Sequence, residues 1–212
     1  LAYQFCDQSR RGCSINLPGL RAGTHTLVVV PAGSGTRLLG MDATLSMDLR
    51  GSFVRDSAVA LSLPRRGQNA RWTFNGNAGE MLALQVAGQV TTPAGATVYY
   101  RVIGPSGATI ASTGMTVGAT LNLLLPTTGA YELFVDPENG EALSAQMMLS
   151  SGASAMQVDG SQGVLETTSP GQGVFATFQA NAGQNLGLGI SELTVGSGGY
   201  VNAIVYRPDG SI

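Results

Sequence analysis

The chain repeats itself with a period of about 104 residues. Gly67-Gln68, Phe74, Asn77-Ala78-Gly79, Leu82 and Leu84 return without a gap, 104 positions on, at Gly171-Gln172, Phe178, Asn181-Ala182-Gly183, Leu186 and Leu188. Leu17, Gly23, Leu27, Val29 and Pro31 return 106 positions on, at Leu123, Gly129, Leu133, Val135 and Pro137, and Leu45-Ser46 returns at Leu149-Ser150. A repeat constrains more than local structure, because every copy must bury the same residues in the same way. Residues 50–154 make one whole unit. Residues 1–49 match only the C-terminal half of a unit, and residues 155–212 only the N-terminal half of a further one. A half unit exposes an apolar face and open strand edges. The missing strands are therefore expected from a longer array, from the other half, or from a neighbouring copy. Two halves and one whole make two complete units in 212 residues. A head-to-tail fibre built by strand complementation is the sharpest form of that expectation.

Within each unit, clusters of Gly, Pro, Asn and Asp recur every 8 to 14 residues and bracket short stretches of period-two alternation. Tyr131-Glu132-Leu133-Phe134-Val135 and Leu82-Ala83-Leu84-Gln85-Val86 are examples. Such stretches read as half-buried strands between tight turns. No window of a dozen residues keeps a helical apolar stripe free of Gly, so helix is confined to a single turn at most. The fold class is all-β. Its units are tandem antiparallel β-sandwiches, Ig-like or jelly-roll-like, of about 104 residues and about eight strands each.

Gly67-Gln68-Asn69-Ala70-Arg71, Phe74, Ala78-Gly79, Pro105-Ser106-Gly107, Gly129-Ala130-Tyr131 and Asp136-Pro137 form a motif run of turn and core residues. The run resembles the tandem β-sandwich modules of very large secreted or surface bacterial proteins, found upstream of Rhs/YD-repeat regions. More distantly it is similar to pre-peptidase C-terminal domains. The resemblance implies a stalk, adhesin or scaffold whose chemistry lies elsewhere. All 11 basic residues are Arg, which fits a GC-rich bacterial source.

Cys6 and Cys13 align through the 106-residue offset with Ser112 and Ala119. Both pairs are expected to bracket a hairpin between adjacent strands, which makes a Cys6–Cys13 disulfide sterically reasonable. Two free thiols are the alternative. Closing so short a loop is worth about 2–3 kcal/mol on the chain-entropy account, and such bonds persist outside the cytosol. Cys-x6-Cys lacks the spacing of a zinc site.

Charged residues make up only 11 % of the chain and the net charge is −2, and this mild acidity argues against nucleic acid, where a basic face is expected. The apolar run Leu27–Val30 stops at Pro31, far short of a membrane span. His25 is the only histidine, so every Ser–His, Cys–His or multi-His arrangement must use it. It aligns with Tyr131, which resembles the corner tyrosine of sandwich folds; His25 is expected to fill the same structural slot. Asp136, Glu138 and Glu141 carry the oxygen ligands that Ca²⁺ takes, but without the alternating spacing of a calcium loop. The segment reads as an Asn-Gly turn, and no metal or other cofactor is expected. Gly33-Ser34-Gly35 and Gly196-Ser197-Gly198-Gly199 read as turns, because no helix follows to cradle a phosphate. Arg10-Arg11 and Arg65-Arg66 read as solvated turn residues.

Strand parity singles out one surface. Val98, Tyr100 and Val102, like Val201, Ala203 and Val205, belong on the core face. The opposite face then carries Tyr99, Arg101 and Ile103, and in the next unit Tyr200, Asn202, Ile204 and Tyr206. A row rich in Tyr, Ile and Arg has interface composition, and its expected partner is a neighbouring unit or copy. Tyr rings also stack on sugars, so a glycan is the alternative ligand. The reading that follows is a non-enzymatic structural repeat module of a bacterial extracellular or cell-surface protein: a stalk, scaffold or self-assembling fibre. The alternatives are a carbohydrate- or protein-binding adhesin module, and an accessory region of a secreted toxin or hydrolase whose catalytic domain lies outside this chain.

Overall fold

Between Leu49 and Ser151 the alternating segments become strands of two packed sheets. A computed structural model of the protein describes residues 4, 6, 12–31, 40–151, 153–167, 173–196 and 198–208. The strands are β1 (Leu49–Ser52), β2 (Ala58–Leu63), β3 (Ala70–Gly76), β4 (Met81–Thr92), β5 (Val98–Ile103), β6 (Thr109–Met115), β7 (Thr120–Leu124), β8 (Gly129–Pro137) and β9 (Ala142–Ser151). A first sheet has the order β1-β3-β8-β5-β6 and a second the order β2-β9-β4-β7. Pairing is antiparallel throughout except for β1 with β3. The unit is thus a β-sandwich of nine strands, one more than the turn spacing suggests. Among the described residues the only helical geometry is a single 3-10 turn at Glu138–Gly140.

The core follows from the pleat. Successive side chains of a strand point to opposite faces, and β3 accordingly buries Ala70, Trp72 and Phe74 while leaving Thr73 and Asn75 exposed. Leu133 and Val135 from β8 and Val98, Tyr100 and Val102 from β5 complete the inner face of the first sheet. Leu61, Leu84, Leu123, Met147 and Leu149 cover it from the second. Burial of a Leu side chain is worth about 1.5–3 kcal/mol, so this cluster carries the fold. Two polar tips are satisfied inside it. The Tyr100 hydroxyl donates to Gln89 Oε1 at 2.8 Å, and burial pushes its pKa up. The Tyr131 hydroxyl donates to Thr127 O, and its ring stacks on Phe74.

The chain changes sheet at nearly every connection; only β5 and β6 form a hairpin. This corrects the expectation for Ser112 and Ala119. Ser112 lies on β6 in the first sheet, and Ala119 directly precedes β7 in the second. The connection between them crosses the sandwich, because β6 pairs with β5 and β7 with β4. The Asp136–Gly140 segment is a turn, with Asn139 at φ 56° and Gly140 at φ 67°. It too joins strands of opposite sheets.

Outside the sandwich, the described residues hold one more pairing. β10 (Ala153–Ala155) runs parallel to β11 (Phe175–Thr177). Residues 12–31 and 40–48 contain no strand.

Candidate interaction surfaces

Tyr99, Arg101 and Ile103 stand on the outer face of β5, as alternation requires. Tyr99 is 47 % exposed. Its ring lies against Gly114, its partner on β6, so that a Cβ there would sit 3.2 Å from the ring. An aromatic covering a strand glycine in this way shields the bare backbone. Arg101 extends over the ring of Phe134 on β8, 5.7 Å from its centroid, and Arg71 on β3 covers the same ring at 4.3 Å. Phe134 is buried although it points away from the core; the two guanidinium groups shelter it in a cation–π arrangement. Arg71 is held in turn by Asp48 Oδ2 at 2.6 Å and by Glu132. Burial opposes its charge, but the bonds to Asp48 and Glu132 outweigh burial and raise its pKa.

Asp136 stands opposite Tyr99 on β8. Its Oδ2 accepts from Asn16 Nδ2 at 2.7 Å, and Asn16 Oδ1 accepts from Asn69 Nδ2 at 2.6 Å. Burial pushes the Asp136 pKa up, against the lowering effects of Asn16 and Arg101. Glu138 lies in the 3-10 turn and Glu141 is buried beyond it. Among the described residues no three His, Cys, Asp or Glu side chains gather as metal ligands.

Cys6 and Cys13 form a disulfide, with their Cα atoms 5.4 Å apart. His25 Nε2 donates to Arg21 O at 2.8 Å. Positions 21 and 25 align with Thr127 and Tyr131, so the imidazole makes the bond that the corner tyrosine makes, four residues back along the chain. Arg65 and Arg66 lie in the β2–β3 turn, where Arg66 O accepts from Ser46 Oγ. Arg10-Arg11, Gly33-Ser34-Gly35 and Ser197 lie outside the described residues. Tyr200, Ile204 and Tyr206 are exposed in a segment without strands, and the structure does not join them to the β5 row.

Sequence alternation did not reveal the apolar positions of the half units as surfaces, since in the whole unit they are core. Leu27 is 65 % exposed where its counterpart Leu133 is fully buried, and Leu188 is 57 % exposed where Leu84 is 1 %. Leu17, Leu45, Phe178 and Leu186 are exposed likewise. The repeat is the signal that finds them: each is a core residue without its core.

No helix among the described residues is long and apolar enough to cross a membrane. No protein-family model matches the chain, and no curated protein does. Among solved structures it is similar to the pre-peptidase C-terminal domain of a collagenase from Bacillus anthracis, at 17 % identity over 48 % of this chain and 93 % of that one, with a TM-score of 0.35. It is also similar to PliG, a periplasmic inhibitor of g-type lysozyme from Aeromonas hydrophila, at 15 % identity over 48 % and 98 % of the two chains, TM-score 0.34. A family 6 carbohydrate-binding module matches at 13 % identity over 49 % and 98 %, TM-score 0.26. All three likenesses are distant.

Proposed function

We propose that the chain is a non-enzymatic structural repeat module of a bacterial extracellular or cell-surface protein, in which β-sandwiches follow one another in series as a stalk or scaffold. One observation carries this reading: the path of the chain through the sandwich. The chain comes in at Leu49, beside Ala70 at the start of β3. It leaves at Ser151, beside Leu82 and held by Asp56, at the end where β3 finishes. The seven residues of β3 separate the two ends by roughly 20 Å at about 3.3 Å per residue. A unit traversed from end to end extends an array, and a single residue separates β9 from β10. The groups capable of chemistry support the same reading, for they are spent on structure: His25 on Arg21 O, Asp136 on Asn16, Arg71 on Asp48 and Glu132. The disulfide fits a secreted protein.

A second reading, a glycan- or protein-binding module, draws on Tyr99, whose exposed ring shares the outer face of β5 with Arg101. Purified chain is to be tested against glycoside, peptide, ester and phosphoester substrates and against a glycan panel. The scaffold reading expects no turnover and no saturable binding. Turnover lost in His25→Ala or Asp136→Asn would overturn it. Glycan retention lost in Tyr99→Ala at an unchanged melting temperature would favour the binding module instead.

A further inference from the structure

On the second sheet the outer face is closed where a solvent-facing sheet would be open. Alternation along β4 sends Leu82, Leu84 and Val86 into the core, and Ala83 and Gln85 to the opposite face. Ser150 on β9 and Asn122 on β7 are the ladder partners of Ala83, so Ser150, Ala83 and Asn122 make one outer row across three strands. Ala83 is nevertheless 1 % exposed, Ser150 4 % and Gln85 9 %. Gln85 Nε2 donates to Ser150 Oγ at 3.1 Å, as polar groups shut away from water require.

The residues that open the following unit supply the cover. Gly173 approaches Asn122 so closely that a Cβ on it would lie 2.7 Å from the amide oxygen. Two residues on, Phe175 pairs with Ala153, just past the end of β9, and is buried although it is no part of the sandwich core. A segment fixed at Asn122 and at Ala153 spans the outer row, and Ala83, the smallest side chain of that row, lies between the two points. The same contacts join the preceding segment to the whole unit. Asn16 and Ser46 are the repeat counterparts of Asn122 and Ser150, and Asn69 is the counterpart of Gly173. Asn69 Nδ2 donates to Asn16 Oδ1 at 2.6 Å, and Ser46 Oγ donates to Arg66 O at 2.9 Å, in the turn that enters β3. Positions 16 and 69 thus meet as 122 and 173 do. At one junction an Asn side chain closes the gap; at the other a glycine brings the backbone itself to the amide.

We infer that the outer row of the second sheet is a docking seat for the residues that enter β3 of the following unit, a contact that rests on the scaffold reading above and names what holds its units together. Consecutive units are joined by one repeated contact and not by a free linker. The occupant is a segment of this same chain, since Gly173 already sits on Asn122 as Asn69 sits on Asn16. The row suits such an occupant. Ala83 and Ser150 are small enough to let a covering backbone come close, and Asn122, on the edge strand β7, offers both a donor and an acceptor. The single residue between β9 and β10 fixes only the distance to the next unit. The seat fixes its direction.

The close approach at Gly173 supplies the test. A Cβ there would lie 3.1 Å from Asn122 Cγ, the place the sulfur of Asn122→Cys would take, which is within disulfide reach. Full-length chain carrying Asn122→Cys and Gly173→Cys is oxidised and its disulfides are mapped by digestion, with the native Cys6–Cys13 bond as the internal standard. The expected result is loss of both new thiols to a bond between positions 122 and 173 of one chain. Asn122→Cys paired instead with Gly187→Cys, a position with open space around it, is expected to keep both thiols. Phe175→Asp added to the first pair releases the covering segment, and the bond is expected to be lost. Phe175 lies outside the sandwich core, so Trp72 emission should stay that of the parent. Free thiols at 122 and 173, a bond found only between copies, or a bond formed as readily with Phe175→Asp would each overturn the inference. Free thiols in a chain inert toward substrates and glycans remove only the seat. Turnover removes the scaffold reading whatever the bond.

Discussion

At Asp136, a carboxylate on the outer sheet face is half-buried. Burial raises its pKa, and Asn16 and Arg101 only partly offset that. A carboxyl whose folded pKa lies above its unfolded value of 3.8 contributes stability that is fully present below that value. The contribution is lost as pH rises through the folded pKa. Asp136→Asn removes the charge while keeping an oxygen for Asn16. Its melting temperature is therefore expected to exceed the parent's at pH 7 and to converge on it in acid. Melting curves from pH 3 to 7 check this, and a variant less stable at neutral pH would show that ionised Asp136 is favourable where it stands. The same scale shows how a single slot tolerates two chemistries. A phenol and an imidazole both reach the carbonyl four residues back, at Thr127 and at Arg21, because the position demands only a ring with a donor at its tip.

Strands were legible in the sequence because parity is local: the alternation around Tyr100 or Trp72 names the face of each residue without reference to any partner. Which strands share a sheet is not local, and there the reading of Ser112 and Ala119 as a hairpin fails. Alternation says nothing about whether a turn returns beside its strand or crosses to the other sheet. The outer row of β5 was legible for the same reason as the core. Its engagement was not, because Phe134 breaks the burial alternation of β8 and is covered by Arg71 and Arg101 arriving from other strands. The β8–β9 crossing also depends on a close approach. Gly140, at φ 67°, accepts from Gly67 N at 2.7 Å, and a Cβ on it would lie 2.7 Å from that same nitrogen. Gly140→Ala meets both the left-handed penalty and this contact. It is expected to cost more than about 1 kcal/mol, read as a lower urea midpoint at unchanged slope. An unchanged midpoint would mean that the crossing relaxes freely.

For the whole molecule, the repeat places identical residues in two different energetic situations. Leu84 is 1 % exposed inside a finished core, and Leu188 is its counterpart at 57 %. Leu84→Ala removes packing that exists in every copy of the chain. It is expected to cost about 2–5 kcal/mol, as truncation in a filled core does, at any protein concentration. Leu188→Ala alters an exposed side chain, where changes stay within about 0.5 kcal/mol. Urea unfolding of the two variants separates the two situations. Leu84→Ala is expected to lower the midpoint at unchanged slope, and Leu188→Ala to unfold like the parent. A Leu188→Ala midpoint lowered as far as that of Leu84→Ala would mean that this leucine is packed in a core of its own.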